Sequence, residues 1–91
     1  KRKKDEGLFM LGVGQINLGG PKAAASDEER LEVARYNCAA GMKAKSMSDF
    51  YCAYRFFDHG ITFLKAKHWE EHYNLSLQLF NGAAWVQYDV W

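Results

Sequence analysis

Two glycines, an alanine and a phenylalanine are spaced along residues 41–60 in a way that limits the folds open to this chain. Gly41 is followed by Ala53, Phe57 and Gly60, and the last three recur at intervals of four and three residues. Such intervals place side chains on one face of an α-helix. Small residues on that face let a second helix approach closely, and the phenyl ring fills the space between the two. The spacing therefore predicts a helical hairpin.

The first two helices are predicted from apolar spacing and from capping or breaking residues. One helix is expected over about residues 5–18, with a partial apolar stripe of Leu8, Leu11 or Val13, and Ile16. Gly19-Gly20-Pro21 ends it. Ser26 before Asp27-Glu28-Glu29 forms a capping-box pattern, which starts a second helix that reaches about Lys45. Its expected buried face consists of Leu31, Ala34, Cys38, Gly41 and Met42.

The third helix has the clearest periodicity. Ser46 or Ser48 is expected to cap it, with Asp49 in its first turn. Its apolar stripe consists of Phe50, Ala53, Tyr54, Phe57, Gly60, Ile61 and Leu64. Because only a few residues join the second and third helices, the two are expected to be antiparallel neighbours.

A fourth helix is predicted from about Trp69 to the end of the chain, and it is apolar on two sides. One row consists of Tyr73, Leu77, Phe80 and Ala84, and the other of Leu75, Leu79, Ala83 and Val86. A helix of this kind usually lies between two neighbours. One row has no evident partner here, so we expect self-association through this helix, or a partner chain or domain. The 91 residues form one domain at most, without an initiator Met, and we expect them to be a piece of a longer protein.

Composition and charge argue against several classes of function. A net charge of +1 gives no electrostatic case for nucleic-acid binding, and the basic run Lys1–Lys4 is expected to be a solvated terminus. No apolar stretch approaches the roughly 18 residues of a membrane helix, and no secretory signal is present. Cys38 and Cys52 are expected to be buried free thiols, which fits a reducing, cytoplasmic location.

The segment His68-Trp69-Glu70-Glu71-His72 fits the H-x-x-E-H pattern of a group of zinc hydrolases. Two histidines four residues apart can share one helix face, and Glu71 could polarise a metal-bound water. The segment straddles a predicted helix start, however, and no third acidic ligand is evident. A solvated helix N-terminus is the favoured interpretation, and a small metal-dependent hydrolase is an unfavoured alternative.

Other candidate motifs have structural explanations. Gly12 and Gly14, with Gly19, lack the strand and the spacing of a dinucleotide-binding loop. The serines at positions 26, 46 and 48 are explained as helix caps rather than nucleophiles. The aromatic set Phe50, Tyr51, Tyr54, Phe56, Phe57 and Phe63 is expected to pack between helices rather than to stack on bases. We therefore expect no catalytic, cofactor-binding or metal-binding residue and no cofactor.

Residues 8–90 resemble the helical region of large multidomain signalling proteins. Such proteins carry an AAA/STAND-type ATPase, often with a kinase-like domain before it and a sensor or histidine kinase module after it. The similar segments are 14–19, 28–31, 34–41, 43–45, 53–64 and 69–75, and they include the patterns N-x-x-A-G-x-x-A-K and W-x-x-H-Y-x-L. The offsets of Gly41, Ala53, Phe57 and Gly60 also match the packing positions of a tetratricopeptide unit. Lys65 stands where such a unit usually ends in proline.

The resemblance implies a tetratricopeptide-like scaffold between an ATPase and its output modules. The chain contains no G-x-x-x-x-G-K-[ST] phosphate loop, so the resemblance does not extend to nucleotide binding. We expect an all-α array of antiparallel hairpins that couples domains without an activity of its own. The alternative is a stand-alone module that binds a protein or a peptide.

Overall fold

The computed structural model describes residues 3–64 and 68–90 of the chain. Within these ranges the regular structure is entirely helical, which confirms the all-α prediction. The helices are α1 (Lys3–Gly19), α2 (Asp27–Ser46), α3 (Phe50–Phe63), α4 (His68–Glu71) and α5 (Tyr73–Val90), with a 3₁₀ turn over Pro21–Ala23 between α1 and α2. None of the described helices combines the length and hydropathy needed to cross a membrane. Lys1, Arg2, Lys65 and Trp91 lie outside the described residues.

The caps of α2 and α3 are both formed by side-chain oxygens, but only one was placed correctly from the sequence. The Ser26 hydroxyl accepts a hydrogen bond from the Glu29 amide at 3.1 Å, as predicted. The cap of α3 is Asp49, whose carboxylate accepts from the Cys52 amide at 3.2 Å, so the expectation of a serine cap was wrong. Ser46 is the last residue of α2, and Ser48 has a φ of 60° in the turn between the helices. This left-handed residue reverses the chain, so the cap falls on the next residue.

α2 and α3 form the central hairpin of the fold. Gly41 lies against Phe57, and Gly60 lies against Ala34 and Asn37, so increasing residue number on one helix pairs with decreasing number on the other. The two helices are therefore antiparallel, as the short connection predicts. α1 packs mainly on α2, whereas α5 packs on α3 and, less extensively, on α2. The order of packing thus places the α2–α3 hairpin between α1 and α5.

Phe57 is the centre of the core and is fully buried. A Cβ atom built on Gly41 would lie 2.6 Å from a ring carbon of Phe57, and one built on Gly82 of α5 would lie 2.7 Å from that ring. The ring is therefore held between the backbone atoms of two glycines, Gly41 and Gly82. Gly41 was predicted as a packing residue, and Gly82 was not.

The inner stripes of α2 and α3 agree with prediction in their centres and differ at their ends. The predicted residues that are buried are Ala34, Cys38, Gly41, Ala53, Phe57 and Gly60. Met42 is exposed, and Leu31, Phe50, Tyr54, Ile61 and Leu64 are only partly buried. Four further residues of α2, Val33, Asn37, Ala40 and Ala44, are buried, as is Phe63 of α3. α2 buries more of its surface than one stripe because it contacts α1, α3 and α5.

The inner face of α1 agrees with the predicted stripe at Val13 and differs from it at the other positions. Leu8, Leu11 and Ile16 are exposed, whereas Val13 and Asn17 are buried. Met10 also packs against the core, so the inner face has the spacing 10, 13 and 17. A count of apolar positions misses this face because one of its three members is an asparagine.

The predicted fourth helix is divided at His72 into the single-turn helix α4 and the long helix α5. The Ser76 hydroxyl donates to the carbonyl oxygen of His68 at 3.2 Å. Eight residues of a straight helix would separate these two positions by about 12 Å along the axis. The chain must therefore bend between α4 and α5, and the Ser76 side chain bonds across the bend.

Candidate interaction surfaces

A pair of asparagine side chains joins α1 to α2. Asn17 Nδ2 donates to Asn37 Oδ1 at 2.7 Å, and Asn37 Nδ2 donates to Asn17 Oδ1 at 2.8 Å. The second donor hydrogen of Asn37 is directed to the carbonyl oxygen of Val33 at 3.0 Å. Both residues are buried. Each side-chain amide supplies both a donor and an acceptor to the other. The pair therefore fixes the position of α1 along α2, because a shifted register would leave these groups unpaired.

The outer face of α1 is apolar and open to solvent. We define it by four residues, Leu8, Leu11, Ile16 and Leu18. Leu8 is 58% exposed, Leu11 62% and Leu18 81%. The sequence from Gly7 to Gly19 contains no charged residue. Several exposed leucines on one uncharged stretch of helix differ from the scattered single apolar residues that are normal on a protein surface, and they indicate a contact surface.

A second open surface lies on α4 and α5, and we call it the aromatic face (Trp69, Tyr73 and Phe80). The Trp69 ring lies 6.0 Å from that of Tyr73 and 5.3 Å from that of Phe80, measured between centroids. All three side chains are exposed, Tyr73 to 56%. Large aromatic side chains contribute strongly to protein–protein contacts, so this cluster is a natural contact surface.

The two apolar rows predicted for this region have different surroundings. Leu79 and Val86 are fully buried, and Leu75 and Ala83 are packed beside them against the core. Tyr73, Phe80 and Ala84 of the other row are exposed, and Leu77 is half-buried. Among the described residues, the row of Tyr73, Phe80 and Ala84 is therefore the more exposed of the two.

His68 supports the aromatic face from within. Its imidazole is stacked on the Phe80 ring, with centroids 5.8 Å apart and planes at 11°. Its Nδ1 atom is 2.7 Å from the hydroxyl oxygen of Ser76. Since Ser76 is fully buried, this link ties the start of α4 to the interior of α5. No pattern in the sequence indicates this link, because residues eight apart do not meet in a regular helix.

The pairing of Ser76 with His68 has the spacing of a nucleophile and its general base, but its surroundings do not suit catalysis. A nucleophilic hydroxyl must reach a substrate. The hydroxyl of Ser76 is instead enclosed in the core and also bonds to the carbonyl oxygen of His68. The arrangement is therefore a structural link between α4 and α5.

The histidines of the H-x-x-E-H segment have separate environments. His72 lines a groove of about 350 Å³ with Glu71, Phe63 and Leu64, and His68 does not line that groove. Within the described part of the chain, no group of three or more His, Cys, Asp or Glu side chains is placed to hold a metal ion. The described residues thus neither bring His68 and His72 into one groove nor form a group of three metal ligands, and the hydrolase alternative requires both.

Both cysteines are free thiols, as predicted, but only Cys38 is buried and Cys52 is half-buried. Burial raises the pKa of the Cys38 thiol above its ordinary value. The pKa of Cys52 is also raised, first by burial and then by the hydrogen bond and negative charge of Asp49, while Arg55 acts in the opposite direction. A raised pKa keeps a thiol protonated near neutral pH, and only the thiolate is a strong nucleophile. Neither cysteine therefore has the environment of a reactive thiol.

No protein-family model matches the chain, and no match was found among curated proteins or solved structures.

Proposed function

We propose that the chain is a non-catalytic helical scaffold that couples neighbouring modules of a multidomain signalling ATPase or kinase. In this proposal its hairpins follow a tetratricopeptide-like arrangement, its partners are proteins rather than nucleic acids or membranes, and it needs no cofactor. The free thiols of Cys38 and Cys52 suit a reducing compartment, so we place it in the cytoplasm.

One observation supports the proposal: α1 on one side, and α4 with α5 on the other, each expose large apolar side chains that the central hairpin does not cover. The α1 outer face exposes Leu8, Leu11 and Leu18, and the aromatic face exposes Trp69 and Tyr73. In a stacked helical array, each unit buries one face on its neighbour and offers the other face to the next unit. A module that exposes one apolar face on α1 and another on α4 and α5 can pack against two other modules at once.

The central hairpin explains how the scaffold would keep its shape under such contacts. Phe57 is enclosed by the backbones at Gly41 and Gly82, which ties α2, α3 and α5 together. α1 is fixed on α2 by the reciprocal amide bonds of Asn17 and Asn37. Both open faces therefore lie on helices whose inner sides are packed against the central hairpin. A displacement at one face would be transmitted to the other through these packed side chains.

Hydrogen exchange tests this proposal. The 91-residue chain would be compared with a longer chain that also contains the polypeptide encoded on each side of it. We expect slower amide exchange in α1 and α5 of the longer chain, because the open faces are then covered. Leu11→Gln and Tyr73→Gln should reduce the gain, whereas Met42→Gln, which alters an exposed apolar residue of α2 outside both faces, should not. Equal exchange of α1 and α5 in the two chains would overturn the proposal.

A further inference from the structure

A groove of about 350 Å³ lies between α1 and α3, apart from the aromatic face. Gly14 and Leu18 line it from α1, and Tyr51, Arg55, Phe56 and His59 line it from α3. Tyr51, Arg55 and His59 recur every four residues and Phe56 lies next to Arg55, so these residues form one wall along the helix. The groove combines apolar surface with the guanidinium group of Arg55.

The groove owes its space to a missing side chain on α1. A Cβ atom built on Gly14 would meet no other heavy atom within 4 Å. A larger residue at this position would therefore extend into the groove rather than clash with the fold. Asn17 also lines the groove, and its bonds to Asn37 hold this wall in place.

The groove carries the positive charge of Arg55. The Arg55 guanidinium lies 6.0 Å above the Tyr51 ring and has no ion pair with any described residue. No carboxylate lines the groove. The nearest acidic residues in sequence lie outside the lining: Asp58, and Asp49, whose carboxylate accepts a hydrogen bond from the amide of the lining residue Cys52. An anionic group is the natural complement.

The walls are apolar and strongly exposed on both sides. Leu18 on one side is 81% exposed and Tyr51 on the other is 67% exposed. A small molecule usually has most of its surface enclosed by its site, which two exposed walls do not provide. A polypeptide segment can instead cover both walls and extend beyond them.

We propose that this groove binds a segment of a partner protein in which an acidic side chain lies between apolar ones. The carboxylate meets Arg55, and the apolar side chains cover Leu18 and Tyr51. The site shares Leu18 with the α1 outer face. It differs from both open faces in its selectivity, because it selects its partner by charge as well as by burial of apolar surface. It does not depend on the chain being part of a signalling ATPase.

The test uses two peptides that differ only in charge: N-acetylated, C-amidated leucyl-glutamyl-leucine and its counterpart leucyl-glutaminyl-leucine. Each is titrated into the isotopically labelled chain, and backbone amide shifts are followed by NMR. We expect saturable shifts at residues 14–18 and 51–59, with the glutamyl peptide bound about two- to fivefold more tightly, as is typical of an exposed ion pair. Added salt should reduce the difference.

Three variants separate the contributions. Arg55→Gln should remove the preference for the glutamyl peptide. Gly14→Leu should fill the groove and weaken both peptides. Gly7→Leu, two turns earlier on the same helix, is the matched control, since a Cβ there also meets no atom within 4 Å and the residue does not line the groove. Thermal melts establish that each variant is folded. Equal binding of the two peptides, shifts confined to other residues, or no saturable shift up to the solubility limit would each overturn the inference.

Discussion

Asn17 and Asn37 exchange two hydrogen bonds between their side-chain amides, at 2.7 and 2.8 Å, in the buried contact of α1 with α2. The remaining α1 contacts are modest, since Val13 is the one apolar residue of α1 that is buried within the described part of the helix. A polar pair thus occupies the centre of this contact. Such pairs contribute less to net stability than to the choice of one arrangement, because any other register leaves buried amides unpaired.

Replacement of both asparagines should therefore cost less than the two single replacements added together. Asn17→Leu leaves the buried Asn37 amide without two of its bonds, and we expect a loss of about 1–3 kcal/mol in the free energy of unfolding. In the Asn17→Leu, Asn37→Leu double variant no amide is left unpaired, so it should lose less than the sum of the single losses. Urea titrations of the four proteins provide the measurement. Strict additivity would show that the two side chains do not act as a pair.

Phe57→Ala should be the most damaging truncation in the core. The ring is fully buried between the backbones at Gly41 and Gly82, which cannot extend side chains into the cavity. We expect the free energy of unfolding to fall by about 3–5 kcal/mol, a large part of the stability of so small a protein. Tyr51→Ala, an exposed aromatic residue of the same helix, serves as the control. A Phe57→Ala protein that melts within a couple of degrees of the parent would contradict the described core.

A methyl group at Gly82 should destabilise the fold, although alanine favours helices. The added Cβ would lie 2.7 Å from the Phe57 ring, which has Gly41 on its other side and cannot retreat. We expect Gly82→Ala to cost about 1–3 kcal/mol through overpacking. Gly12→Ala is the matched control, since its Cβ meets no atom within 4 Å, and it should gain up to about 1 kcal/mol. Chemical denaturation of both variants would measure the difference, and a gain at Gly82 would be the contrary result.

The Cys38 thiol should make the fold sensitive to alkaline pH. Burial raises its pKa above the ordinary value of 9.0, so the folded state keeps its proton where the unfolded state releases it. Stability from this group is complete below that value and declines as the pH rises above it. Cys38→Ala should show a shallower decline between neutral and alkaline pH in urea titrations. An unchanged slope would indicate that the thiol is not responsible.

Much of the central hairpin could be predicted from sequence, because it rests on local rules. The spacing of Ala53, Phe57 and Gly60 identified the inner face of α3, and Ser26 identified the start of α2. These features depend on helical periodicity and capping, which a single sequence displays.

The features that were missed depend on contacts distant in sequence. Gly82 matters because it meets Phe57, and Asn17 matters because it meets Asn37 twenty residues later. The bend before α5 depends on the bonds of Ser76 to His68. Apolar periodicity cannot reveal these features, because it counts asparagine and serine as outward-facing and says nothing of which helix lies opposite a glycine. The α1–α3 groove was missed for the same reason.

The central claim is that the α1 outer face and the aromatic face are contact surfaces, and sedimentation over a wide concentration range tests it most directly. The 91-residue chain should self-associate as its concentration rises, because its exposed apolar faces have no other partner. Leu11→Glu together with Tyr73→Glu should keep it monomeric, whereas Met42→Glu, an exposed site of α2 outside both faces, should leave the association intact. A chain that joins the adjoining encoded polypeptide to these residues should also be monomeric. A strictly monomeric 91-residue chain at every concentration, no more stable when extended, would contradict the account.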